Sequence, residues 1–187
     1  MAQHVVCTLM RTPGIAGVAV VTAAPEIAAR VEGYGAMVIR QDRDEGTASA
    51  CRVAAEILSE RADSVLMISG DIPLIDAAAV AELIELARRA PVVAIVPDRR
   101  RAGTNALLCA PPAVMAPYFG PDSFQRHLAA ARARGVDVRI VESDALALDI
   151  DDLDDLDELH RRLDADPTLL PAELREAIPR MDRASAQ

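Results

Sequence analysis

The sequence predicts an α/β fold with a mixed, mostly parallel sheet and helices on both faces. Three observations point there. Short β-branched runs alternate with helical patterns along most of the chain. The segment 77–90 sets Val80, Leu83, Ile84 and Ala87 at i, i+3, i+4 and i+7, so one apolar stripe faces a sheet while Glu82 and Glu85 stay outside it. Finally, 187 residues with 51% hydrophobic content supply enough apolar surface for one globular core.

Strands are expected at about 17–22 (GVAVVT), 36–40 (AMVIR), 64–69 (SVLMIS), 92–96 (VVAIV), 104–109 (TNALLC) and 136–141 (VDVRIV). Helices lie between them. In 47–60, Val53, Ile57 and Leu58 make a buried face and Thr47 is placed to cap the first turn. The segment 110–121 (APPAVMAPYFGP) is a loop, because proline fixes φ and lacks the backbone donor that a helix or central strand requires. A helix over 123–134 follows, with Asp122 or Ser123 available as N-cap. In 148–151, LDID alternates apolar and acidic residues, so a strand would turn Asp149 and Asp151 to one face. The helix 152–163 buries Leu153, Leu156, Leu159 and Leu163, and its first-turn acids Asp152, Asp154 and Asp155 suit the helix dipole. Residues 1–165 therefore form the domain, and 166–187 read as a loosely docked or disordered tail.

Composition narrows the function. A net charge of -9 opposes binding to nucleic acid, although a local arginine cluster or a bound metal would still admit a small phosphorylated ligand. The chain contains no lysine, which excludes a Walker-type phosphate lysine and Schiff-base chemistry. Without tryptophan, and with two tyrosines and two phenylalanines, it has little to stack on single-stranded bases. No apolar run approaches the ~18 residues of a membrane span, and no signal-peptide pattern opens the chain, so a cytoplasmic location is expected. Cys7, Cys51 and Cys109 are odd in number and widely spaced, which fits reduced core residues rather than a disulfide framework or a CxxC metal site.

The chemistry-bearing positions lie at strand ends. Asp71, in Ser69-Gly70-Asp71-Ile72-Pro73, follows a strand, and Pro73 holds the chain away from helix; alone it reads more readily as a turn aspartate. Asp149 and Asp151 add like charge that needs a cation or a helix N-terminus to compensate it. If the two acidic segments meet at one sheet edge, they could hold a divalent cation carrying a phosphate. Asp98-Arg99-Arg100-Arg101-Ala102-Gly103-Thr104 offers arginine forks and a Gly-Thr pair to an anion, and reads equally well as a solvated hairpin turn. Free amides where the helix at 123 begins would form an anion site, though a plainly capped helix is the simpler reading. His127 and His160 lack a partner histidine at i+4, so a zinc site or nucleophilic triad has little support.

In order, GDIPLI, DRRRAGTNALL, FGPDSFQRHLAAA and LDIDDLDDL resemble the 2-phospholactate or phosphoenolpyruvate (or 3-phosphoglycerate) guanylyltransferases of coenzyme F-420 biosynthesis, over about residues 1–165. The resemblance implies a Rossmann-like fold of the nucleotide-diphospho-sugar-transferase kind. It also implies a cytoplasmic enzyme that takes GTP and a small phosphorylated three-carbon acid, uses Mg2+, needs neither nucleic acid nor membrane, and is compatible with a homodimer. By position, it makes Asp71 and Asp149 the catalytic magnesium ligands, with Asp151 assisting. Thr104, Gly120 and Ser123 fall where the family holds the acceptor's phosphate or carboxylate, in a motif opened by Asp98 and Arg99.

Two departures accompany the resemblance. Family members carry a further N-terminal stretch with a central first strand and a Lys/Arg loop that grips the nucleotide. Against that pattern the sequence opens inside the first helix and is expected to be N-terminally incomplete, with activity depending on that loop. Gly46-Thr47-Ala48 replaces a Gly-Leu-Asn run, leaving the choice of base open. The competing readings are a related nucleotidyltransferase with a sugar-phosphate or pterin acceptor, and a non-catalytic α/β binding module.

Overall fold

The β-branched runs form strands within two residues of their expected spans: β1 Ala19–Thr22, β2 Met37–Arg40, β3 Val65–Ile68, β4 Val92–Pro97, β5 Thr104–Ala110 and β6 Asp137–Ile140. They belong to a computed structural model that describes residues 1–178 and divides into two units, Met1–Ile150 and Asp151–Gln187.

In the first unit the strands make two sheets. β1 and β2 pair in parallel by themselves, and the other strands form a four-stranded sheet in the order β3-β5-β4-β6. β5 runs antiparallel to both β3 and β4, while β4 and β6 are parallel. The reversal follows from chain length, because only the six residues 98–103 separate β4 from β5 and a parallel return would need a crossover of about a dozen or more.

Alternation along the strands sorts two cores onto the two faces of the larger sheet. Ala94, Val96, Ala106 and Leu108 pack with Val5 and Leu9 of α1 (Ala2–Arg11) and with Val80 and Leu83 of α4 (Ala77–Glu85). Val93, Ile95, Leu107 and Cys109 pack on the other face with Phe124, Leu128 and Ala131 of α5 (Ser123–Ala133). β4 and β5 are buried along their whole lengths, as strands covered on both sides must be. Helices α2 (Pro25–Glu32) and α3 (Thr47–Leu58) complete the unit.

Several local expectations change. The stripe at 77–90 is α-helical to Glu85 and continues as a 3-10 turn, Leu86–Arg89, before Pro91. Thr47 is the first helical residue of α3 and does not cap it; Gly46 holds that position without a side-chain bond. Asp122 precedes α5 in a left-handed conformation (φ 54) and makes no side-chain cap bond. Most consequentially, 148–151 is not a strand, since among the described residues no strand follows β6. Its backbone is held by tethers instead: Leu146 and Ala147 amides donate to Ser143 O, and Ala147 O accepts from the Arg99 amide at 2.8 Å. The alternation survives as burial, with Leu148 fully enclosed, Asp149 half-buried and Asp151 exposed.

The second unit is built on α6 (Leu153–Ala165), whose Asp152 and Asp155 form a reciprocal capping box. Glu158 is held down to a pKa of about 2 by hydrogen bonds from Arg161 and Arg162 one turn on. Residues 166–178, within the span expected as a loose tail, hold a 3-10 turn (Pro167–Leu169), the buried Leu170 and a short helix α7 (Ala172–Ala177). The remaining residues of that span, 179–187, lie outside the described residues.

Candidate active site

Strand directions bring the chemistry-bearing segments of the first unit to one edge of the larger sheet. β3 and β4 end where β5 begins, so Asp71, three residues past β3, Asp98, immediately past β4, and Thr104, the first residue of β5, share that edge. Ligands of open α/β sheets bind at this edge because parallel strands deliver their loops there.

The acidic segments meet at Asn105, which is 1% exposed. Its backbone oxygen accepts from the Ser69 amide at 2.9 Å, fixing the turn that carries Asp71. Its side-chain amide donates to Leu146 O, also at 2.9 Å, fixing the loop that carries Asp149. One buried residue therefore anchors both segments, with each carboxylate two or three residues beyond its anchor. Asp71 and Asp149 are half-buried, and both engage neighbouring groups. Asp151 belongs to the second unit, where its amide donates to Asp155 Oδ2.

Asp98 performs a different task from the one expected of a ligand-binding residue. Its carboxylate accepts from the Ala102 amide at 2.8 Å and from the Gly103 amide at 2.9 Å, closing the β4–β5 hairpin. A Cβ at Gly103 would stand 3.0 Å from Asp98 Oδ2, so a larger residue there would crowd the carboxylate that closes the turn. The DRRRAGT segment is thus a hairpin turn, and Thr104 follows it at the sheet edge. Arg101 is committed to an ion pair with Glu142 and to the face of Phe124, 5.0 Å from the ring centroid. Arg99 and Arg100 also engage neighbours.

Around Thr104 the structure assembles a cluster that sequence reasoning missed. Thr104 Oγ1 lies 3.0 Å from His127 Nδ1, and His127 Nε2 accepts from the Tyr118 amide at 2.7 Å. Phe119 meets the imidazole edge-on at a centroid distance of 5.1 Å. Ser123, one turn before His127 on the same face of α5, is buried, and its amide donates to Gly120 O at 3.1 Å. The next amide, that of Phe124, donates to Ala102 O at 3.2 Å and ties α5 to the hairpin. These two amides of the helix start are therefore engaged with loop carbonyls, in line with the simpler reading of a helix start satisfied from within the chain. Gly120, at φ +108, has open space where a Cβ would point. Hydrogen bonds thus link Thr104 to His127 and Ser123 to Gly120, with Ser123 and His127 one turn apart on α5.

Burial is the main reason that His127 is held neutral, its pKa pushed down to about 4, with Arg126 adding repulsion. Burial also raises the Cys51 and Cys109 thiols to about 12, which removes both as nucleophiles at neutral pH. Among the described residues, no three His, Cys, Asp or Glu side chains gather into a metal cage. Two carboxylates at a sheet edge nevertheless fit magnesium, which binds through one or two acids plus substrate phosphates and water.

Solved structures of low sequence identity share this fold. A protein from Desulfovibrio desulfuricans G20, provisionally classed as a nucleotide-diphospho-sugar transferase, superposes with a TM-score of 0.71 at 18% identity, over 93% of this chain and 78% of its own. Rv0371C of Mycobacterium tuberculosis H37Rv, solved with manganese, gives 0.60 at 20% identity, over 87% and 85%.

Sequence comparison defines the membership more closely. The phosphoenolpyruvate guanylyltransferase of Rubrobacter xylanophilus is 40% identical over 81% of this chain and 73% of its own. That of Conexibacter woesei is 41% identical over 85% and 74%. The 2-phospho-L-lactate guanylyltransferase of Methanothermobacter thermautotrophicus is 32% identical over 76% and 62%. The family described as guanylyl transferase CofC like matches residues 9–163, and the chain belongs to it.

Proposed function

We propose that the protein transfers GMP from GTP to a phosphorylated three-carbon acid, phosphoenolpyruvate being favoured by the names of its relatives. An acceptor phosphate oxygen attacks the α-phosphorus of GTP; the new P–O bond forms as the bond to the β-phosphate oxygen breaks, and pyrophosphate leaves. The attacking oxygen is already anionic, so catalysis requires alignment and charge neutralisation rather than a protein nucleophile. The absence of lysine and the suppressed Cys51 and Cys109 thiols agree with that division of labour.

Thr104, Gly120 and Ser123 are assigned to the acceptor's phosphate or carboxylate, and Asp98 to holding the hairpin that presents Thr104. Asp71 and Asp149 are the residues that would hold Mg2+, with Asp151 two residues beyond Asp149 as the assisting acid. Held there, the ion would supply charge neutralisation to the reacting phosphates. The observation that carries the reading is the double tether of Asn105, which brings both acid-bearing segments to the residue beside Thr104.

The test is pyrophosphate release from GTP, with formation of the guanylylated acid, on addition of Mg2+ and phosphoenolpyruvate, 2-phospholactate or 3-phosphoglycerate in turn. Turnover with one of them supports the proposal. Turnover only with a sugar phosphate or a pterin would replace it, and absence of turnover with weak or absent magnesium-GTP binding would favour the binding-module reading.

A further inference from the structure

His127 has two ring nitrogens, and both are committed inside the protein. The Tyr118 backbone amide is an obligate donor, so the nitrogen facing it at 2.7 Å must be an acceptor. That assigns the lone pair to Nε2. An imidazolium would set N–H against N–H, and the enclosed, neutral state of the ring agrees with this assignment. In a neutral imidazole with a bare Nε2, the proton sits on Nδ1.

Nδ1–H therefore donates to Thr104 Oγ1 across 3.0 Å. A hydroxyl that accepts one bond keeps its own proton to give elsewhere. Among the described residues, Thr104 Oγ1 has no hydrogen-bond partner besides His127. The hydroxyl proton thus has no protein acceptor among the described residues, at a position bonded to His127, which lies one helical turn after Ser123 on α5.

We propose that His127 is a positioning residue that sets the polarity of Thr104, converting a fixed backbone N–H at Tyr118 into an outward-pointing hydroxyl donor for an anionic oxygen of the phosphorylated acceptor. The chain of donors runs Tyr118 N–H to Nε2, Nδ1–H to Oγ1, and Oγ1–H to substrate. Were the imidazole reversed, Thr104 would spend its proton on the ring and present only lone pairs, which repel phosphate and carboxylate alike. The inference rests on the assignment of Thr104 to the acceptor and adds why that hydroxyl favours an anion.

Histidine-selective 15N NMR on the whole protein reads the tautomer without any turnover. The expected spectrum shows a protonated Nδ1 and a bare Nε2, unchanged between about pH 8 and pH 5. Calorimetric titration with phosphoenolpyruvate and Mg2+, without GTP, reads the contact. Thr104→Val should weaken binding about tenfold or more, as loss of a hydrogen bond to a charged group does, whereas Thr104→Ser should retain it. His127→Asn, which keeps an N–H near the Nδ1 position, should lose less affinity than His127→Leu.

An Nε2–H tautomer, an imidazolium at neutral pH, unchanged affinity in Thr104→Val, or no phosphoenolpyruvate binding to the unsubstituted protein would each overturn the proposal. Failure of guanylyl transfer itself would appear separately, as absence of pyrophosphate release from a protein that still binds the acid with the expected tautomer.

Discussion

The two halves of the candidate site are held in different ways. On the proposed acceptor side, Thr104, Ser123 and His127 are buried; His127 bonds Thr104 and the Tyr118 amide, and the Ser123 amide bonds Gly120 O. On the acidic side, Asp71 and Asp149 are half-buried and lie on turns, each supported from behind by a strand residue that is itself out of reach of solvent. The contrast matches the chemistry that the proposed roles would require of each half. A neutral hydroxyl can be buried with its partner, but a carboxylate intended for a hydrated divalent ion has to keep access to water, because stripping it of solvent without a compensating charge costs several kcal/mol.

Substitutions should separate the halves, beginning with the largest effect. Asp71→Asn and Asp149→Asn remove charge without changing shape, and each should lower turnover by roughly a hundredfold or more while the melting temperature stays near that of the parent. Equal activity in either variant would break the acidic half of the comparison. Asn105→Leu leaves Leu146 O buried without its donor and should reduce stability by about 1–3 kcal/mol in chemical denaturation, with turnover falling because the Asp149 loop loses its tether. Full activity with that loss of stability would show that the tether does not position the acid.

The acceptor half has a pH signature. His127 is depressed from 6.5 to about 4, so below pH 6.5 the unfolded chain takes up a proton that the native ring refuses. This contribution is present in full above pH 6.5 and is lost as pH falls toward 4, amounting to about 3 kcal/mol across the window. Denaturation of the parent and of His127→Asn at pH 7 and pH 4.5 should show a smaller pH dependence in the variant. Smallest is Asp98→Ala, which releases two hairpin amides to solvent and should reduce stability by about 1–2 kcal/mol while weakening acceptor binding only modestly.

Much of this frame is legible in the residues. Runs such as VVAIV and TNALLC become β4 and β5 because a strand buried on both faces needs an unbroken apolar or small-residue run, which few other structures tolerate. The helix at 77–90 is readable to Glu85 from its stripe. LDID misleads for a physical reason: alternating burial arises whenever one side of an extended segment faces a core, and Leu148 satisfies that from a tethered loop with no strand pairing. Division into two sheets is a matter of long-range pairing, which no local pattern encodes.

The lack of a histidine at i+4 argues against a zinc site at His127 but says nothing of its tertiary partners. The informative neighbour was Ser123 at i−4, on the same helix face and following a glycine loop, and the ring's other partner, Thr104, is brought in by the strand order. Polar residues held by tertiary hydrogen bonds are the part of a site that spacing alone reveals least.

The account stands most directly on pyrophosphate release measured side by side for the parent, Asp71→Asn and Asp149→Asn, with GTP, Mg2+ and phosphoenolpyruvate. The expected result is guanylylated acid formed in step with pyrophosphate by the parent, and loss of at least about a hundredfold in both variants with folding preserved. Parent-like rates in both variants would contradict the assignment of these acids to the reaction.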